Sequence, residues 1–135
     1  MSIYMERAEK LRACTERHYN CAQSVLVPFA DVLGTDGEIL YRVGANFGSG
    51  MRVGSVCGAV TGALMVLGLA GVNDSAALQT LYGEVREKHD GLMNCSDLLR
   101  VNKEKGGDRK VHCDDMVYEL LAVTEEILRE RGIIA

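Results

Sequence analysis

The chain has no tryptophan and a single proline, Pro28, and its aromatic residues are five tyrosines and two phenylalanines. A core built without large rings must come from Leu, Val, Ile, Ala and Met, and with proline so scarce long helices run unbroken. No stretch alternates apolar and polar residues as a half-buried strand would, and no segment repeats. No long basic run is present and the net charge is −4, which excludes nucleic acid as an expected partner. The N-terminal segment is charged and amphipathic, without the apolar run of a secretory signal. The expected location is therefore cytoplasmic. The longest weakly polar run, Val53 to Val72, is broken by glycines and by Ser55, Cys57 and Thr61. It reads as a buried central helix and not as a membrane span.

What the chain does have is a 47% hydrophobic content over 135 residues, enough for one core. The expected fold class is all-α, a single helical four-cysteine domain over residues 1–135 with about six helices around a Gly/Ala-rich central helix. Helical spacing covers Tyr4 to Arg17. Asn20 to Leu33 follows, with Asn20 as N-cap, Gln23 as its reciprocal partner and a break at Pro28. Gly34-Thr35-Asp36-Gly37 is a turn, and Glu38 to Asn46 a short helix. Gly54 to Leu69 is the central helix, expected to pack on the last one. Asn73 or Asp74 caps a helix running to about His89, and Asn94 caps a short one ending before Asn102. His112 to Arg131 is the last helix, with Met116, Val117, Leu120, Leu121, Val123, Thr124, Ile127 and Leu128 on its buried face. Gly54, Gly58 and Gly62 fall four apart and form a flat stripe for close backbone approach, inside the chain or against a second copy. A homo-oligomer is thus one expected arrangement.

Five cysteines are too many to pass over. Cys21, Cys57, Cys95 and Cys113 each fall where a helix is expected to begin, and helix N-termini favour a thiolate. They lie 36, 38 and 18 positions apart, and no Cys-x-x-Cys occurs. Zinc ribbons, thioredoxin-type motifs and bacterial ferredoxins, which need short paired spacing, are disfavoured. A site assembled from four separate helices remains. Two chemistries suit it. Four thiolates can hold a metal ion or an iron–sulfur cluster for electron transfer, or the thiols can cycle between dithiol and disulfide. The first is expected ahead of the second, and a metal-storage or metal-sensing module is a third alternative. All four cysteines are thus candidate metal ligands or redox thiols, serving an unidentified redox partner.

The glycine loop before Cys57, Phe47-Gly48-Ser49-Gly50-Met51, is expected to offer backbone N–H groups to an anion, with Gly48, Gly50, Gly54 and Gly58 as candidate cofactor-binding positions and Arg52 as an added charge. It lacks the Gly-Lys-Ser/Thr ending of a phosphate loop and the preceding strand of a dinucleotide site. Cys14 reads as a buried, mid-helix hydrophobe outside the site. His112 reads as a solvent-exposed cap, His18 and His89 as solvated helix ends, Asp114 and Asp115 as complements to a helix dipole, and Lys103 to Lys110 as a solvated loop.

Asn-Cys-Ala-Gln-Ser-Val-Leu at Asn20 to Leu26, Cys-Gly-Ala-Val-Thr-Gly-Ala-Leu at Cys57 to Leu64, and the later single cysteines Cys95 and Cys113 together resemble the redox-active C_GCAxxG_C_C family. The resemblance runs from about Tyr19 to Leu121. It implies that Cys21, Cys57, Cys95 and Cys113 are the family's four cysteines and that Gly58, Ala59 and Gly62 match its central element. Cys14 has no counterpart. The implied role is redox activity, in a family whose members accompany transport functions.

Overall fold

The computed structural model describes residues 2–135. Seven α-helices follow in order: α1 Ile3–Ala13, α2 Cys21–Leu26, α3 Gly37–Gly44, α4 Gly58–Leu69, α5 Ser75–Lys88, α6 Cys95–Glu104 and α7 Arg109–Glu130. A 3-10 turn, Val27–Phe29, continues α2, and one π-type turn, Gly50–Gly54, precedes α4. The fold is all-α, as composition and periodicity predict. Among the described residues the one β contact is an isolated antiparallel bridge between Val56 and Asn94.

Local chemistry explains most boundaries. At α2 the Asn20 side chain accepts from Gln23 N, and Asn20 N donates to Gln23 Oε1, both at 2.8 Å. This is the reciprocal cap expected from the sequence. Pro28 lies in the 3-10 turn that ends α2, since it cannot donate the next helical bond. Asp36 and Asp74 cap α3 and α5 through Glu38 N and Ala77 N. Asn94 occupies the cap position of α6, but its side chain makes no capping bond.

Four boundaries correct the sequence expectations. Helix α4 starts at Gly58 and not Gly54, which closes the preceding turn with a positive φ. Helix α1 ends at Ala13 and not Arg17, so Cys14 is its half-exposed C-cap and not a buried mid-helix residue. Helix α6 runs on to Glu104. Helix α7 starts at Arg109, three residues before His112, because Asp108 accepts from Val111 N at 3.0 Å. The charged run Lys103 to Lys110 is therefore the end of α6, a short turn and the start of α7.

Helices α2, α4 and α7 pack on one another and form the centre. Helix α4 is buried on nearly every side, through Ala59, Val60, Ala63, Val66 and Leu67. The eight residues expected on the inner face of α7 are all buried, each large aliphatic one contributing about 1.5–3 kcal/mol. The glycine stripe packs inside the chain. A Cβ on Gly62 would lie 2.7 Å from Ala22 O, and one on Gly58 would lie 2.8 Å from Phe47 O and 3.2 Å from Ala22 N. Only glycine lets the backbone of α2 come this close to α4. Among the described residues no helix is long and apolar enough to cross a membrane.

A four-thiol candidate redox site

The contact between α2 and α4 sets Cys21, the first residue of α2, beside Cys57, the N-cap of α4. A Cβ on Gly58 would stand 3.3 Å from the Cβ of Cys21. The Val56–Asn94 bridge brings in the third thiol. Cys57 N donates to Met93 O at 2.8 Å and Cys95 N to Ser55 O at 2.7 Å, so the start of α6 is tied to the start of α4. Cys113, one turn into α7, supplies the fourth. All four cysteines, with Gly58, Leu98, Leu99, His112 and Met116, line one cavity of about 20 Å3. Four positions spread over 93 residues of chain are thus brought to one place (113 − 21 = 92 steps).

The four thiols differ in environment. Cys21 and Cys113 are each other's strongest influence. A hydrogen bond between the two thiols holds Cys113 down to about 6 and pushes Cys21 up. Burial acts against Cys113, while Arg12 and Arg109 favour its thiolate. Burial pushes Cys57 up to about 11 despite bonds from the N–H groups of Ala59 and Val60. Burial also raises Cys95. The expectation that each helix start favours a thiolate is therefore overturned at three positions. At Cys57 and Cys95 desolvation outweighs the helix dipole, and at Cys21 the bond to Cys113 does so first, with burial second. The one cysteine that does ionise readily is not at a helix end, because α7 begins four residues before it.

Arg12 is a site neighbour that periodicity alone does not reveal. Its Nε donates to Asp114 Oδ1 at 2.7 Å and its Nη1 to Tyr19 O at 3.0 Å. Lys110 Nζ reaches the same carboxylate at 3.0 Å. Asp114 thus holds Arg12 beside the thiol pair, and the long separation in sequence leaves no local signal for it. Arg109 and Lys110 were expected in a solvated loop and instead stand on α7 beside Cys113. His112, expected as an exposed cap, is half-buried and faces the thiol cavity; burial lowers its pKa. His89 ends α5, but its ring is bonded to Glu119 at 2.9 Å and is not simply solvated.

Of the glycines expected to bind a cofactor, Gly58 lines the cavity. The other three are met by this chain's own atoms: Gly48 by the Asn20 side chain, Gly50 by Ser55 and Gly54 by Ser96. Around Gly50, Ser49, Met51 and Arg52 all have positive φ of 54–60°, which concentrates backbone strain immediately before Cys57.

Four cysteine sulfurs are a suitable donor set for a metal ion or an iron–sulfur cluster. Their spacing fits less well. Among the described residues no three side chains of His, Cys, Asp or Glu are grouped so as to hold an ion. The shared cavity of about 20 Å3 has room for roughly one water, so a cluster would require the helix starts to move apart.

No curated protein and no solved structure matches the chain. The family model described as "Putative redox-active protein (C_GCAxxG_C_C)" matches residues 19–127. That span includes all four converging cysteines and the α2–α4 contact that joins the first two, and the chain belongs to the C_GCAxxG_C_C family.

Proposed function

We propose that the protein is a thiol–disulfide redox protein whose working pair is Cys21 and Cys113. The observation that carries this reading is the placement of the pair: Cys21 and Cys113 together line both the inner cavity and the open cleft outside it, and their interaction favours the thiolate on Cys113 and the thiol on Cys21. The thiolate is the attacking form. Cys113 attacks one sulfur of a disulfide and forms a mixed disulfide, and the other half of the substrate leaves as a thiolate. Cys21 passes its proton to that leaving group and then attacks the sulfur of Cys113. The second half leaves, and a Cys21–Cys113 disulfide remains. The substrate has gained two electrons and the protein has lost two. Arg12 and Arg109 hold the charge on Cys113 before attack. Cys57 and Cys95 lie behind this pair, protonated.

A second reading assigns the four sulfurs to a metal ion or iron–sulfur cluster that transfers electrons. It is favoured by their sharing one cavity. One experiment separates the two. Reduced protein is treated with one equivalent of a small disulfide and its peptides are mapped. The first reading predicts a Cys21–Cys113 disulfide, and a mixed disulfide held on Cys113 in Cys21→Ala. Cys113 left free, together with stoichiometric iron and sulfide after anaerobic reconstitution that is lost in Cys57→Ser, establishes the second.

A further inference from the structure

Cys21 and Cys113 line a second space besides the small cavity they share with Cys57 and Cys95. On their outer side opens a cleft of about 670 Å3, within the range of about 300–1,000 Å3 typical of small-molecule sites. Its charged walls are Arg12, Arg109 and Lys110, against one carboxylate, Asp108. The whole chain has the opposite balance, 15 Lys and Arg to 19 Asp and Glu. Asp108 is engaged as the cap of α7 through Val111 N. Arg12 and Lys110 share Asp114 and keep one net positive charge between the three. Arg109 is exposed and pairs with no carboxylate among the described residues, its anionic neighbour being the Cys113 thiolate itself. A cationic wall therefore stands beside the sulfur of Cys113, on a molecule whose overall charge repels anions.

We propose that this cleft is a binding site for small disulfides that carry carboxylates, which it presents to Cys113. The inference rests on Cys113 being the attacking thiolate and adds the class of its substrate. A carboxylate of the substrate pairs with Arg109, and the cleft admits a molecule of a few residues' size. The disulfide bond then lies against Cys113, which displaces one half as a carboxylate-bearing thiol. A neutral disulfide gains nothing from these charges, and a cationic one is repelled. Attraction of this kind typically raises association rates by about tenfold or more and weakens as salt screens it.

The test compares three disulfides of similar size: dithiodipropionate, which is anionic, hydroxyethyl disulfide, which is neutral, and cystamine, which is cationic. Reaction at Cys113 is followed by mass spectrometry in a Cys14→Ser background, because Cys14 also lines the cleft. Each rate is divided by that of the same disulfide with a free small thiol, at a pH where Cys113 is fully ionised. The expected order is anionic, neutral, cationic, with about a tenfold span at low salt that collapses in high salt. Arg109→Gln shrinks the span severalfold and Arg109→Lys restores it. Equal normalised rates for the three, or a cation fastest, overturn the cleft's selectivity while leaving disulfide exchange intact. A Cys113 inert to all three overturns the exchange reading beneath it.

Discussion

Two thiols that share one proton must divide their tendencies, and here the division is set by what surrounds each. Cys21, half-buried at the start of α2, is raised by its bond to Cys113 and by burial, while Cys113 faces both Arg12 and Arg109, which favour its charged form. Removing the proton donor or the Arg12 guanidinium therefore raises Cys113. Cys21→Ala and Arg12→Gln are each expected to move the alkylation midpoint of Cys113 upward from about 6 toward the ordinary thiol range, measured with a neutral alkylating agent. A midpoint unchanged in both variants would remove the pair from the account. The same groups set a pH dependence of stability. Cys113 is depressed below its ordinary 9.0, so its contribution is complete above that value and is lost as pH falls through about 6. Cys57 is raised to about 11, so its contribution holds below 9.0 and is lost as pH rises through about 11. The thiol part of the stability should peak near pH 9, by urea unfolding across that range, and a Cys113→Ser variant should lose the acid-side slope. At this scale the sequence singles out the converging cysteines, because Asn20 and Asn94 stand at helix starts beside two of them and the glycine loop precedes a third. It does not show which thiol ionises. Arg12 and Asp114 are 102 positions apart, and no local pattern encodes that pairing.

Among the helices, the α2–α4 contact decides whether a site exists at all. It depends on Gly58 and Gly62, where a Cβ would meet backbone at 2.8 and 2.7 Å. Gly62→Ala must push α2 away from α4 and is expected to cost about 1–3 kcal/mol, by urea or thermal unfolding. Because Cys21 opens α2, the same change should raise the midpoint of Cys113 by loosening the pair. Gly68→Ala is the control: nothing lies within 4 Å of its Cβ, and replacing an exposed helical glycine should stabilise by up to about 1 kcal/mol. A Gly62→Ala variant as stable as this control would contradict the packing argument. The spacing of Gly54, Gly58 and Gly62 makes the stripe visible in the sequence, and the surrounding apolar run makes α4 visible as central. What packs against the stripe is not visible there. The start of α7 is also hidden, since Arg109 and Lys110 look like loop residues until Asp108 is seen capping them.

Over the whole molecule, the fold is a device for bringing four distant cysteines to one small cavity with an open cationic cleft on one side. The all-α class follows from aliphatic composition, helical spacing and the absence of strand patterning, all of which belong to single segments. The inequality of the thiols belongs to none. It arises only when burial from four helices and charge from α1 and α7 meet, and it reverses the simple helix-dipole expectation at Cys21, Cys57 and Cys95. The most direct measurement is alkylation of the reduced protein with a neutral reagent across pH, each cysteine quantified separately by mass spectrometry. The account predicts Cys113 reacting with a midpoint near 6 and Cys57 with one near 11. Four cysteines titrating together near the ordinary 9.0 would contradict it.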